Sequence, residues 1–390
     1  MKNYPLETVA PLSNIKEILL NGKKNCPEHI AFRYAKKDDV VEISYQKFLQ
    51  DVAALSSELV SKNLFNEKIA LIGENSYHWI VTYFAVVCSG NVIVPLDKEL
   101  SLDEIRHIVE HSEAVALFYA RDYDDVKDDL SSNSAVKHMW SLQGEVQGIF
   151  EKGTSVDVTA FEKLPVDEQK MCAIIYTSGT TGDPKGVMLS QHGLALDAYA
   201  SLQNVRFKND SLLILPLHHT FALTAAVLIP LHNQGTVAIN LSLRTLADDI
   251  AKYKPQHLFL VPMIVETLYK KLIDTATKMG KMDQLPALSK MAFGGNLEII
   301  VSGGAPINQQ YIDGFKACGI YVLNGYGITE CSPVVSVNRN DVQKDGSIGL
   351  ILPTCEVKII DEEICVKGDI VMLGYYKNDE ATKESMSDGY

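Results

Sequence analysis

The run Tyr176-Thr-Ser-Gly-Thr-Thr-Gly-Asp-Pro-Lys-Gly-Val187 gathers small hydroxylated side chains, three glycines and one lysine into a dozen positions. That combination is suited to holding phosphate. Gly179, Gly182 and Gly186 let the backbone turn its amides toward an anion and let the anion come close, because no side chain stands in the way. Ser178, Thr180 and Thr181 add hydroxyl donors, and Lys185 adds a positive charge. The preceding Cys172-Ala-Ile-Ile-Tyr176 is an apolar run suited to a buried strand. Val187 onward reads as the start of a helix, which puts the loop at a strand end, where open α/β sheets bind ligands. The spacing is not that of a Walker A phosphotransferase, which needs Gly-Lys followed directly by Ser or Thr; here Lys185 lies between Pro184 and Gly186. The plainer alternative is a Gly/Thr-rich surface loop with an ordinary lysine.

Three further runs carry groups of chemical interest. Leu323-Asn-Gly-Tyr-Gly-Ile-Thr-Glu330 follows a strand-like stretch and combines an aromatic face, two glycines, a hydroxyl and a carboxylate. Read alone, it fits equally a strand-to-helix turn with Thr329 as N-cap. Val301-Ser-Gly-Gly-Ala-Pro306 is a second glycine turn after an apolar run, a common arrangement by itself. Leu215-Pro-Leu-His-His-Thr-Phe221 holds two adjacent histidines. An imidazole there can orient a carboxylate when neutral or attract it when protonated, or simply pack at a strand end.

Taken together and in their order along the chain, these runs resemble the adenylate-forming superfamily of acyl-CoA synthetases, luciferases and peptide-synthetase adenylation domains. The likeness is nearly residue for residue in the phosphate loop. It implies nucleotide binding by Thr177, Ser178, Gly179, Thr180, Thr181, Gly182 and Lys185, by Gly303, Gly304, Ala305 and Pro306, and by Asn324, Gly325, Tyr326, Gly327, Ile328 and Thr329. Within that set Asn324 and Tyr326 would meet adenine and Thr329 the α-phosphate. Thr177 and Glu330 would hold Mg²⁺, which favours one or two carboxylates plus phosphate oxygens. His219 would abut the substrate carboxylate and gate the acyl tunnel, joining Lys185, Thr329 and Glu330 as the catalytic group. Amino-acid-activating relatives carry an aspartate in the histidine motif to hold the substrate ammonium. No acid stands at positions 218–221, and an unpaired ammonium would be costly to bury. A fatty, aryl or other uncharged-chain acid is therefore expected. Gly346-Ser-Ile-Gly-Leu-Ile-Leu-Pro353, Glu356-Val-Lys-Ile-Ile-Asp361 and Gly368-Asp-Ile with Gly374-Tyr-Tyr follow the same family order, as scaffold signatures.

Positioning these motifs requires an α/β framework. Ile69-Ala-Leu-Ile72 and Val92-Ile-Val-Pro95 read as strands around a helix starting near Trp79. Ser101-Leu-Asp-Glu104 is a capping box. Leu102, Ile105, Ile108 and Val109 then share one helical face, and Ala114-Val-Ala-Leu-Phe118 is another buried strand. Strand-like runs return at 212–215, 236–239, 257–261, 297–301 and 320–323, separated by helix-length segments, so two doubly wound α/β subdomains are expected. One spans 66–205 with the phosphate loop, the other 10–65 with 206–330. Beyond Cys331 the pattern shortens to β-rich runs at 355–360 and 363–367, giving an expected small β-barrel subdomain, or a small sheet, over 331–390. No internal repeat is evident, and Tyr123 to Ser134 is an acidic, serine-rich surface stretch.

Composition sets outer bounds. The 390 residues are 46% hydrophobic, enough for several packed units. A formal net charge of -13 without a basic block argues against nucleic acid. Seven cysteines without a Cys-x-x-Cys pair fit buried thiols in a reducing compartment. The N-terminus lacks an apolar signal core, so a cytoplasmic location is expected. The apolar stretch from Trp79 to Leu96 is broken by Ser89-Gly90-Asn91 and closed by Pro95, favouring helix, turn and strand over a membrane span.

The resemblance implies a magnesium- and ATP-dependent acid–thiol ligase that forms an acyl-adenylate and then passes the acyl group to CoA. The alternatives are a ligase that loads an acyl carrier protein and a nucleotide-binding module without turnover. After Tyr390 relatives continue with a ribose-binding aspartate, a hinge and a small C-terminal domain bearing a lysine. The expectation is a large N-terminal domain, by itself slow in adenylation.

Overall fold

Alternating apolar runs become two twisted sheets, flanked and joined by helices. The computed structural model describes residues 4–37, 39–152, 157–177, 184–386 and 389–390. In chain order the strands are β1 (Ile30–Lys36), β2 (Asp39–Ser44), β3 (Lys68–Ile72), β4 (Val92–Pro95), β5 (Ala116–Tyr119), β6 (His138–Ser141), β7 (Met171–Thr177), β8 (Lys185–Ser190), β9 (Asp210–Leu213), β10 (Thr236–Ile239), β11 (His257–Leu260), β12 (Ile299–Ser302), β13 (Tyr321–Gly327), β14 (Val334–Val337), β15 (Leu350–Ile351), β16 (Cys355–Ile360), β17 (Glu363–Gly368) and β18 (Gly374–Tyr375).

The seven-stranded sheet runs β18-β8-β7-β4-β3-β5-β6. Its strands from β7 to β6 are parallel, and β8 and β18 are antiparallel. The nine-stranded sheet runs β15-β14-β13-β12-β11-β9-β10-β1-β2. It is parallel from β13 to β1, with antiparallel β2 at one edge and β14 and β15 at the other. β4, β5, β10 and β11 are buried along their whole length, as parallel strands covered on both faces must be. The capping box forms as read: Ser101 Oγ accepts from the Glu104 amide, and the Glu104 carboxylate accepts from the Ser101 amide at 2.8 Å. The stretch from Trp79 divides into a helix, Tyr77–Cys88, a turn and β4. Among the described residues no helix is long and apolar enough to cross a membrane.

Three expectations change. Val187 does not begin a helix. It lies in β8, which folds back antiparallel on β7, and the helix Gln191–Asn204 starts only after Ser190, whose side chain caps it. Pairing with β8 satisfies the backbone edge that β7 would otherwise leave open. The region after Cys331 is not a closed barrel among the described residues, because β14 and β15 extend the nine-stranded sheet and β18 extends the seven-stranded one. Only β16 and β17 remain, as a two-stranded antiparallel sheet. The acidic stretch near 123–134 is at the surface but holds a helix, Asp124–Asn133, with aspartates in its first turn, where they favour the N-terminal dipole.

The largest apolar cluster reaches both sheets, with Phe32, Phe48, Trp79, Phe84, Ile93 and Val301 among its members. A buried cation fastens its rim. Lys16 is 4% exposed, and its Nζ donates to the carbonyls of Phe161, Glu162 and Leu164 at 2.6, 3.1 and 2.8 Å. Burial lowers the Lys16 pKa, and the ammonium sits 4.7 Å above the Phe161 ring. Lys16→Met keeps the chain's bulk but strips three carbonyls of their donor. A loss of about 1–3 kcal/mol is expected, read as a lower urea midpoint at unchanged slope; an unchanged midpoint contradicts the staple.

Candidate functional site

The C-terminal end of β13 carries the residues around which the site is built. Asn324, Gly325, Tyr326 and Gly327 belong to the strand itself, and Thr329–Cys331 form a short 3-10 turn just beyond. The capping position of that turn is Ile328 without a side-chain cap bond, so Thr329 is not the N-cap that the motif alone allowed. Gly327 is required sterically, since a Cβ there would lie 2.1 Å from the Pro333 carbonyl oxygen.

Two cavities open on either side of this strand end. One, about 480 Å³, is lined by Gly304, Ala305 and Pro306, by Asn324 to Ile328, and by the loop 343–348. The loop is tied to β13 through the Asn324 side-chain amide, which donates to the Ser347 carbonyl at 3.3 Å, and through Asn338, which donates to both the Asn324 and Ser347 carbonyls. The second, about 520 Å³, is lined by His219, Phe221, Val261, Ile264, Val301 and Gly303 among others, and includes Thr329. No Asp, Glu, Lys or Arg lines it among the described residues. Gly304 and the Gly325 to Ile328 segment form a wall common to both. Gly304 has φ +84, in the region that favours glycine.

The phosphate-loop positions Ser178, Gly179, Thr180, Thr181 and Gly182 lie outside the described residues. The strand ends that flank them are Thr177 and Lys185, which face each other across the β7–β8 pair. The Thr329–Cys331 turn packs against β8. Lys185 and Glu330 stand outside the lining of the two cavities and are linked by Tyr375. The Lys185 Nζ lies 5.2 Å from the centre of the Tyr375 ring, and the Tyr375 hydroxyl donates to Glu330 Oε1 at 2.7 Å. Burial, then the bond to Glu330, pushes the Tyr375 phenol up to about 12. Tyr375 was readable in sequence only as part of a scaffold signature; the antiparallel β8–β18 register that brings it here leaves no local sequence signal.

His219 lines the second cavity and stands at the N-cap position of the helix Thr220–Leu223, with no cap bond. Its Nε2 is 3.1 Å from His218 Nε2. Burial lowers the pKa of both rings; for His218, with the neighbouring His219 adding to it, the value falls to about 4. Neutral imidazoles near pH 7 follow. Asn75 clamps this segment, donating to the Leu215 carbonyl at 2.8 Å and accepting from the Leu217 amide at 3.0 Å.

The hard-oxygen set of Thr177 and Glu330 fits Mg²⁺ that takes its other ligands from phosphate and water. Among the described residues no group of three His, Cys, Asp or Glu side chains gathers into a metal cage.

Gly327→Ala is expected to cost about 1–3 kcal/mol by overpacking and to remove nucleotide affinity in calorimetry, because the new methyl meets backbone that cannot step aside; normal affinity contradicts this. A second expectation concerns acid stability. His218 binds a proton near pH 6.5 when unfolded but only near pH 4 when folded, so between these values the unfolded state holds more protons and stability rises with pH. Denaturant titrations across pH 4–6.5 should give a shallower rise for His218→Gln, and an unchanged slope counts against the burial of this ring.

The comparisons with known proteins agree with this architecture. Residues 21–376 match the family model described as AMP-binding enzyme. The long-chain-fatty-acid–CoA ligase FadD15 of Mycobacterium bovis is 25% identical over 431 residues, covering 98% of this chain and 72% of that protein. The chloroplastic long-chain-fatty-acid–[acyl-carrier-protein] ligase AEE15 of Arabidopsis thaliana is 25% identical over 478 residues, covering 96% of this chain and 65% of that protein. The crystal structure of ATP-bound MatB from Rhodopseudomonas palustris superposes with a TM-score of 0.82 at 25% identity, covering 97% of this chain and 74% of the other. With the match spanning nearly all of both sheets, the chain belongs to the AMP-binding enzyme family, the adenylate-forming class that its motifs resemble.

Proposed function

We propose that this chain binds ATP and an acid with an uncharged, hydrophobic chain, and activates the acid. The carboxylate oxygen attacks the α-phosphorus, the bond to the bridging oxygen of pyrophosphate breaks, and acyl-adenylate and pyrophosphate result. The observation that carries this reading is the pair of cavities sharing one wall at the end of β13, one polar-edged and one without a charged lining residue. Two substrates on either side of a strand end can meet at its tip, where Thr329 lies.

In this reading Asn324, Tyr326 and the 303–306 turn hold adenine, and the loop from Thr177 to Lys185 holds phosphates. Thr329 meets the α-phosphate. Thr177 and Glu330 would hold Mg²⁺, which neutralises phosphate charge when bound. Catalysis then rests on positioning and on donors fixed in advance where charge develops. His219, neutral, orients the carboxylate. The names of the fatty-acid ligase relatives support a fatty acid as substrate and CoA as thiol acceptor in the second step. The carrier-protein ligase among the relatives keeps a carrier-bound thiol as a second reading. Seven cysteines without a disulfide among them support a reducing, cytoplasmic setting.

The test is calorimetry of the chain with ATP and Mg²⁺, beside Glu330→Ala, followed by acid-dependent pyrophosphate exchange over straight-chain, aryl and amino acids. Saturable ATP binding that weakens about tenfold or more in Glu330→Ala, with exchange stimulated by uncharged-chain acids, is expected. Binding indifferent to Glu330, or stimulation by amino acids alone, overturns the proposal.

A further inference from the structure

We propose that Tyr375 is a positioning residue of the activation site, its hydroxyl fixing the Glu330 carboxylate and its ring seating Lys185, so that the segment 372–376 couples the phosphate-loop hairpin to the β13 turn. The inference rests on the activation reading above and adds to it a residue that none of the motifs assigned to the chemistry.

The coupling follows from strand geometry. Tyr375 lies opposite Val187 in the β8–β18 pair. Lys185 is two residues from Val187 on β8, so it projects from the same face and becomes the diagonal neighbour of Tyr375, a spacing that long and aromatic side chains can bridge. The ammonium therefore meets the ring face at 5.2 Å, an attraction of cation for aromatic quadrupole. The tyrosine is held from several directions. It is 7% exposed, its amide donates to Thr382 Oγ1 at 2.9 Å, and the next amide, of Tyr376, donates to the Gly186 carbonyl at 2.7 Å. The same segment grips the turn from its backbone, because the Met372 amide donates to the Glu330 carbonyl at 2.7 Å.

The arrangement sets one aromatic side chain against both a cation and an anion. Among the described residues Lys185 makes no ion pair, and the aromatic ring occupies the place where a carboxylate would neutralise it. A single hydroxyl donor orients Glu330 without using up its lone pairs, which leaves the carboxylate able to accept a cation. A direct Lys185–Glu330 pair would satisfy both groups and leave less for phosphate and metal.

Tyr375→Phe removes the hydroxyl and keeps the ring. Tyr375→Leu removes both. The experiment compares binding of ATP with Mg²⁺ and of ATP in EDTA, in the wild-type chain, in both variants, and in Tyr375→Phe on a Glu330→Gln background, with thermal midpoints recorded alongside. Tyr375→Phe should weaken Mg·ATP about tenfold and ATP in EDTA by less than about twofold, and should have no further effect once Glu330 is Gln. Tyr375→Leu should weaken both forms, because Lys185 loses its seat. Equal losses with and without Mg²⁺ in Tyr375→Phe, additivity with Glu330→Gln, or wild-type behaviour overturns the positioning role while leaving the activation reading intact. Absence of ATP binding by the wild-type chain overturns both.

Discussion

The end of β13 has to be thin. Among the described residues it forms, with Gly304, the wall common to the two cavities, and it must also turn sharply to bring Thr329 and Glu330 against β8. Bulk at Gly327 would meet the Pro333 carbonyl, and bulk at Gly303 would meet the Phe221 ring at 3.1 Å. The wall therefore consists of backbone, Tyr326 and Ile328, supported from behind by β14, which pairs antiparallel through Gly325, Tyr326 and Gly327. Backbone hydrogen bonding supplies the stiffness that side chains cannot supply here.

A second consequence is that the two halves of the site come from different sheets. Thr177 and Lys185 belong to the seven-stranded sheet and Thr329 and Glu330 follow a strand of the nine-stranded one. Catalysis by positioning tolerates little play between such halves. The chain limits that play by returning after β17 to lay β18 on β8 and by hanging the turn from the Met372 amide. The overall charge of -13 makes the location of each cation near the phosphate loop matter more, since the surrounding field does not favour a polyanionic nucleotide. Lys185 is kept available by resting on an aromatic ring instead of on a carboxylate.

Much of the framework was legible because parallel strands buried on both faces must be written as continuous apolar runs, and β3, β4, β5, β10 and β11 were found in that way. The capping box at Ser101 and Glu104 was equally local. The hairpin after the phosphate loop was not, because Val187-Met-Leu189 suits a helix or a strand until β7 is present to pair with it. β14, β15 and β18 misled for the same reason: each is two to four residues long, and only a partner edge decides which sheet it joins. Within the site, Asn324, Tyr326 and the 303–306 turn could be read from their motifs and do line the cavities, whereas Tyr375 depends on a register between segments far apart in sequence. The cap position of Ile328 likewise decided what Thr329 alone left open.

The second cavity, with no charged lining residue among those described, lies beside the adjacent His218 and His219, whose pKa values burial lowers. Walls without charged residues make any unpaired charge on a substrate's tail expensive to bury. In the proposed reading a carboxylate would escape that cost at the β13 tip, where Thr329 lines the cavity. An apolar tail is, in the same reading, oriented by exclusion: its uncharged part would rest against Phe221, Val261 and Val301, and its charged head near Thr329. Orientation of this kind would need few directed bonds to the tail, so the shape of the walls would govern which lengths and branches fit.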